Sequence, residues 1–239
     1  MQLLNLSLPR PEENLALDEA LLDEADEHPD DLETLRFWEM PSLSVILGRS
    51  SFVNQEVYLE RAELDYVPVL RRATGGSTVL AGPGCLMYSL VLSLRKRPHL
   101  RMIDAAHDEV IGRLRQAIIA LLPATTSEGI CDLTLAGKKF SGNALRIKRN
   151  SILYHGTILY EMPIDQIGVY LREPPRQPTY REKRHHTEFV TCVAINPDSA
   201  RTEIARQWQA TSERTSIPMD IMNLLIKSRY SQKSWNLSR

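Results

Sequence analysis

The 239-residue sequence predicts an α+β fold, a mixed and mostly antiparallel sheet flanked by helices. Three observations carry that prediction. Helix formers open the chain, period-two apolar runs fill its middle, and helical patterns follow in blocks rather than in strict alternation with strands. With 43% hydrophobic and 25% charged residues, composition is that of an ordinary globular chain, which argues against disorder. At this length one principal domain is expected, placed at residues 1–195, with residues 196–239 as a C-terminal helical segment packed on it.

The elements follow in order. From Asn14, N-L-A-L-D-E-A-L-L-D-E-A sets helix formers behind a capping asparagine and predicts the first helix. Leu35 to Trp38 and Leu43 to Leu47 are short β-rich runs, the second closed by Gly48, and read as paired strands. Val67 to Arg71 and Thr78 to Leu80 read as two more, hinged at Ala73-Thr74-Gly75-Gly76. Beyond Gly82-Pro83-Gly84, Leu90, Leu92 and Leu94 alternate with Ser89, Val91 and Ser93, the period of a strand with a buried face. The longest helix is expected from Ile103 to Leu122, where Val110, Leu114, Ala117, Ile118 and Leu121 recur at helical spacing and Pro123 ends the run. A strand at Asp132 to Leu135, a turn at Ala136 to Lys138 and the apolar run I-L-Y-H-G-T-I-L-Y from Ile152 complete the sheet. Between Arg172 and His186, three prolines and five Arg or Lys mark a mobile connection. Helices are expected again at Ser199 to Ala210 and Ile217 to Ser228.

Composition also narrows function. Twenty-nine Lys and Arg against 30 Asp and Glu leave a formal charge of -1, so no global field favours nucleic acid. No stretch approaches the roughly 18 apolar residues of a membrane span. The opening residues have no basic region followed by an unbroken apolar core, so no export signal is read. Cys85, Cys131 and Cys192 form neither an even set nor a C-x-x-C, which fits a reducing cytoplasm.

Two segments have the residue types for anion chemistry. In R-R-A-T-G-G-S-T-V-L, Arg71 to Leu80, two guanidiniums precede glycines that let backbone N–H groups approach an anion, and Ser77 and Thr78 add hydroxyls. A tight hairpin with solvated arginines would have the same spelling. In D-L-T-L-A-G-K-K-F-S-G-N-A, Asp132 to Ala144, Lys138 or Lys139 beside Gly142 could hold a carboxylate or phosphate, or form the solvated tip of a hairpin. His155 and Gly156 sit inside an apolar run, as a half-buried hydrogen-bonded pair or a secondary site. His185 and His186 have no ligand spacing, no G-x-S-x-G elbow occurs, and Cys131 is the one cysteine near the lysine segment.

Taken in order, N-L-A-L-D-E-A-L (14–21), G-R-x-x-x-V-N (48–54), R-R-A-T-G-G (71–76), D-L-T-L-A-G-K-K-F-S-G-N-A (132–144) and H-G-T-I-L (155–159) resemble the lipoate-protein ligase A family. The resemblance spans residues 14–161, and K-S-R-Y-S-Q-K-S-W-N (227–236) is similar to the family's closing segment. It implies the catalytic fold shared with biotin ligases, and activation of lipoate by ATP with Mg2+ to lipoyl-AMP. The lipoyl group then passes to a lysine of an acceptor lipoyl domain, of the 2-oxoacid dehydrogenase E2 or glycine cleavage H protein type. On this resemblance Lys139 is catalytic, and Arg72, Gly75, Gly76, Ser77, Thr78, Val79, Leu80 and Lys139 contact the nucleotide. Arg72, Lys139, Gly142, His155 and Gly156 contact the acyl substrate, lipoate or octanoate, and Asp132 has a magnesium or polar substrate role. The 172–186 segment corresponds to a loop that closes over the adenylate.

Two departures open alternatives. Leu80-Ala81-Gly82-Pro83-Gly84 stands where the family has aromatic-His-Asp, which admits a degenerate paralogue that binds without turnover. Relatives that form thioesters and transfer octanoyl use a cysteine, for which Cys131 is the candidate. The roughly 80 residues after the catalytic blocks hardly suffice for an accessory domain. Either a separate accessory subunit is needed or the protein only transfers.

Overall fold

The computed structural model describes residues 1–28 and 32–239. Its strands are β1 (Gln2–Asn5), β2 (Thr34–Trp38), β3 (Ser44–Leu47), β4 (Val69–Arg71), β5 (Val79–Ala81), β6 (Cys85–Ser93), β7 (Thr125–Glu128), β8 (Asp132–Leu135), β9 (Lys138–Ser141), β10 (Asn143–Ile147), β11 (Ser151–Leu159) and β12 (Ser212–Glu213). The helices are α1 (Pro11–Glu27), α2 (Val53–Glu56), α3 (Leu59–Leu64), α4 (Ile103–Ile119), α5 (Ile167–Tyr170), α6 (His186–Phe189), α7 (Pro197–Trp208), α8 (Met219–Leu225) and α9 (Lys233–Asn236). Among the described residues, no helix is long and apolar enough to cross a membrane.

A six-stranded sheet in the order β10-β11-β6-β2-β1-β12 divides the core. Its centre is antiparallel, β11 against β6 from Ser151↔Ser93 to Leu159↔Cys85, whereas β1 runs parallel to β2 and β12. The sheet is therefore mixed, as expected. All nine residues of β6 are buried because both faces are covered: Leu86, Tyr88, Leu90 and Leu92 share a core with α4, and Met87 and Val91 share one with α1. Ser89 and Ser93, which alternate with the leucines, are internal too, and Ser89 donates to Asp18 of α1. The small sheets β4-β3-β5 and β7-β8-β9 sit beside this body.

Several local expectations need correction. Asn14 does not cap α1, which starts three residues earlier behind Arg10, whose N–H donates to Glu13. The Asn14 side chain instead clasps the incoming loop, accepting from Leu8 N–H and donating to the Leu8 and Arg10 carbonyls. β2 and β3 do not pair: β2 lies between β1 and β6, and β3 between β4 and β5, because the link through Pro41 carries the chain from one sheet to the other. β4 and β5 form no hairpin, since β3 is inserted between them. β1, β7 and β12 are additional strands. The 172–186 segment touches the body through Tyr180, which donates to Asp132, and Arg184, which donates to Gly137 O.

The C-terminal residues reach both sides of the body. α7 packs on α4 and α8 on α1, and a π-helical turn, Ile226–Tyr230, brings Tyr230 to the Glu19 carboxylate at 2.7 Å. α9 covers β4, where Trp235 Nε1 donates to Arg71 O at 2.9 Å.

Candidate active site

Where β5, β9, β10 and β11 meet the 172–190 segment, a cleft of about 220 Å³ opens. Leu15, Ile46, Met87, Leu159, Ile167 and Leu171 make an apolar floor. Above it stand Arg72, Lys139, Arg172, Arg176 and Arg181 with the carboxylate of Glu56, and just outside the lining Asp132 pairs with Lys139 and Glu173 with Arg181. Such a surface suits an anion with an apolar tail.

The two arginines before the glycines are buried, which excludes the hairpin with solvated arginines. Arg71 faces away from the cleft and ties backbone together, donating to the carbonyls of Gly48 (2.7 Å), Ser51 (2.9 Å) and Trp235 (3.2 Å). Arg72 turns the other way and organises the loop: Nε donates to Thr74 Oγ1 at 3.0 Å, Nη1 to Ile46 O, and Nη2 to Gly75 O and Ser77 O. Burial pushes its pKa down to about 10 against the pull of Glu56. Gly48 completes the loop's support, because a β-carbon there would sit 1.8 Å from Gly76 O. Gly76 itself has φ +87°, a left-handed conformation that glycine adopts without strain. Among the described residues the N–H groups of Gly75, Gly76 and Ser77 meet no acceptor, so the exposed arc presents an anion nest. Thr78 is different: its N–H and hydroxyl both donate to Glu56, at 2.9 and 2.8 Å.

Lys139 enters from the β8–β9 hairpin, turned at Ala136 (φ 50°) and Gly137 (φ 71°). Its ammonium lies 2.7 Å from Asp132 Oδ1, and the other oxygen of Asp132 accepts from the Tyr180 hydroxyl at 2.7 Å. Lys138 is exposed at the hairpin tip and does not line the cleft. Gly142 permits the close approach of Lys139, and Gly156 that of Asn143. His155 is buried on β11, with Nε2 2.7 Å from Thr74 Oγ1 and Nδ1 3.2 Å from Asp18 Oδ2.

The model for the "Lipoyl protein ligase A/B catalytic domain" matches residues 10–203. The chain belongs to this family. Among lipoyl protein ligase A/B relatives, a probable lipoate-protein ligase A of Mycoplasma pneumoniae is 29% identical over 66% of the chain, which covers 45% of that protein's length. Octanoyltransferase LipM of Oceanobacillus iheyensis is 31% identical over 75% of the chain and 71% of its own length. In fold, the chain is similar to the Thermoplasma acidophilum protein solved as a bi-partite lipoate protein ligase with its E2 lipoyl domain. The TM-score is 0.82 at 22% identity, covering 99% of this chain and 95% of that one.

Against the lipoyl protein ligase A/B reading of the sequence, Arg72, Gly76, Ser77, Thr78, Val79, Leu80, Lys139, Gly142, His155 and Gly156 all line the cleft, while Gly75 and Asp132 do not. Asp132 is held between Lys139 and Tyr180, outside the cleft lining. Both its oxygens are engaged, and among the described residues no group of three His, Cys, Asp or Glu gathers. It acts as the counter-ion of Lys139. Cys131 also lies outside the lining, its thiol donating to Asn143 O at 3.3 Å and pushed up to about 11 by burial and by Asp132. Cys85 and Cys192 are raised too, chiefly by burial, so no thiolate is prepared for attack. Sequence reasoning missed Glu56, a lone acid without a motif. Arg176 and Arg181 were visible only as members of a basic segment.

Proposed function

We propose that the chain is an ATP-dependent lipoate-protein ligase. The observation that carries this reading is the convergence of Arg72, Lys139 and the Gly76–Ser77 stretch on one cleft with an apolar floor. Lipoate, or octanoate, lays its alkyl chain on that floor and turns its carboxylate toward Lys139. A carboxylate oxygen attacks the α-phosphorus of ATP, the bond to the leaving pyrophosphate breaks, and Arg72 and Lys139 stabilise the charge gathering on the phosphoryl oxygens. Arg72 must exchange its Gly75 and Ser77 carbonyl partners for the anion. Magnesium accompanies the nucleotide on its phosphates, without Asp132 as a ligand. The amine of an acceptor lysine then attacks the acyl carbonyl, AMP leaves, and an amide remains. The enzyme supplies position and charge, so no nucleophile of its own is needed.

The acceptor is a lipoyl domain of E2 or H-protein type, and a separate accessory subunit completes activation. We also propose the division into a catalytic body, 1–195, and a C-terminal helical segment, supported by the packing of α7 and α8 on that body. A second reading, octanoyl transfer, has the LipM relative in its favour. The placement and protonation of Cys131 weigh against it. The deciding assay follows an apo lipoyl domain with lipoate in the presence and absence of ATP and magnesium, with and without the accessory subunit of a bi-partite ligase, and with the Lys139→Ala variant alongside. Lipoylation and AMP release that require ATP are expected, with Lys139→Ala down roughly 10²- to 10³-fold. Undiminished activity in that variant would overturn the assignment of Lys139, and ATP-independent transfer from octanoyl carrier protein would overturn the ligase.

A further inference from the structure

Behind the cleft, a buried polar chain runs from α1 to Arg72 and has no part in the mechanism above. Asp18 is 2% exposed, yet its carboxylate meets three donors. Oδ1 accepts from Arg36 Nη1 at 2.7 Å, and Oδ2 accepts from Ser89 Oγ at 2.6 Å and lies 3.2 Å from His155 Nδ1. His155 Nε2 is 2.7 Å from Thr74 Oγ1, which accepts from Arg72 Nε at 3.0 Å. Asp18, Thr74 and Arg36 do not line the cleft, whereas His155 and Arg72 do.

We propose that Asp18 is a positioning residue: it fixes the tautomer of His155 and, through the Thr74 hydroxyl, the aim of the Arg72 guanidinium. Proton accounting leads there. Arg72 can only donate, so Thr74 Oγ1 receives the Nε proton and has its own proton to place. His155 Nε2 is the remaining partner of that hydroxyl, so Nε2 accepts and the ring proton sits on Nδ1, directed at the Asp18 carboxylate. The other groups around Asp18 are committed as well. Arg36 spends its remaining donors on Leu6 O, Asn14 O and Asn14 Oδ1, and Ser89 Oγ accepts from Trp38 Nε1. The order of donation that places every proton on an acceptor runs from Arg72 through Thr74 and a neutral His155 to Asp18. Its effect is to pin Nε of a planar fork, which holds the plane of Arg72 while the Nη groups pass from loop carbonyls to a bound anion.

The kinetic half of this inference rests on the ligase reading, and the tautomer half does not. Wild-type protein with ¹⁵N-labelled imidazoles should show His155 protonated on Nδ1 and bare on Nε2. In Asp18→Asn, Arg36 accepts nothing and so holds the new side-chain oxygen, turning the amide NH₂ toward His155 and forcing the ring proton to Nε2. Thr74→Val removes the hydroxyl while leaving the Asp18 pairs intact. It should weaken ATP binding, measured by titration, by roughly 10- to 100-fold, and Thr74→Ser should restore it. A wild-type His155 protonated on Nε2 overturns the proposal. So does an Asp18→Asn ring that keeps the wild-type tautomer, a Thr74→Val protein that binds ATP normally, or a Thr74→Ser protein as weak as the valine variant. If Asp18→Asn does not fold, the wild-type tautomer and the Thr74 pair decide. A protein with the expected tautomers that binds no ATP in any form would sink the ligase reading and leave the Asp18–His155–Thr74 ordering standing.

Discussion

Gly142→Ala perturbs Lys139 without touching it chemically. A β-carbon on Gly142 would lie 2.6 Å from both Cε and Nζ of Lys139, with the Asp132 Oδ1 next at 3.6 Å. Ordinary contact needs about 3.5–4.0 Å, so the ammonium must retreat by roughly 1 Å. Gly142 is outside the left-handed region, so the added methyl brings no backbone strain, and the displaced group is the free end of a flexible chain. The fold therefore gives up little. The Lys139–Asp132 pair is part-exposed, 29% and 11%, and worth at most about 1 kcal/mol after solvent screening. That corresponds to about 2–4 °C in melting temperature for a chain of this size. Activity is more sensitive, since a 1 Å misplacement of a charge-stabilising group costs roughly 10²-fold, or about 2.7 kcal/mol in the barrier. The assay is ATP-dependent AMP release with lipoate and an apo lipoyl domain, on wild type, Gly142→Ala, Lys139→Ala and the double variant. If the methyl acts through Lys139, the double variant is no slower than Lys139→Ala alone. A double variant slowed by a further hundredfold would refute the reasoning, as would a fully active Gly142→Ala.

Cys131→Ser should retain ATP-dependent activity within about threefold, because the thiol is bonded to a backbone carbonyl and held protonated; an acyl adduct on Cys131 by intact mass would contradict this. Glu19 governs acid stability. Burial raises its pKa, but the bonds from Tyr230 and Arg229 outweigh burial and hold the carboxyl below its usual value. A depressed folded pKa means stabilisation that is complete above the unfolded value of 4.5 and is lost as pH falls through the folded one. The difference in stability between wild type and Glu19→Gln, from urea unfolding, should thus be about 3 kcal/mol and level above pH 4.5 and shrink below it. Parallel curves for the two proteins would exclude Glu19 as the acid-labile tie.

What the sequence made legible was what short-range patterns encode. The alternation in β6 and the H-G-T-I-L run marked the two long central strands, and the R-R-A-T-G-G and K-K-F-S-G blocks marked the residues that reach the cleft. Pairing between distant strands was not legible. β3 joins β4 and β5 rather than β2, and Gly48 at its end packs on the Gly76 carbonyl, a contact across 28 residues that leaves no local signature. The partners of Asp132 were hidden for a related reason. The sequence displays its carboxylate but conceals that Lys139 lies on the next strand of the hairpin and that Tyr180 comes from 48 residues downstream to take the second oxygen. Charge partners decide what an acid does, and they are chosen by the fold.

The glycine loop shows how such partners prepare a site. Several polar groups of the loop are held: Thr74 by His155 and Arg72, the Gly75 and Ser77 carbonyls by Arg72, and Thr78 by Glu56. Among the described residues the N–H groups of Gly75, Gly76 and Ser77 meet no acceptor, which leaves them available to an anion. Glu56 contributes by occupying Thr78, so the loop's attraction is concentrated on Gly75 to Ser77 instead of spread along it. A carboxylate among five cations is in this respect part of the anion site, since it fixes the donors at one end and leaves the remainder unpaired.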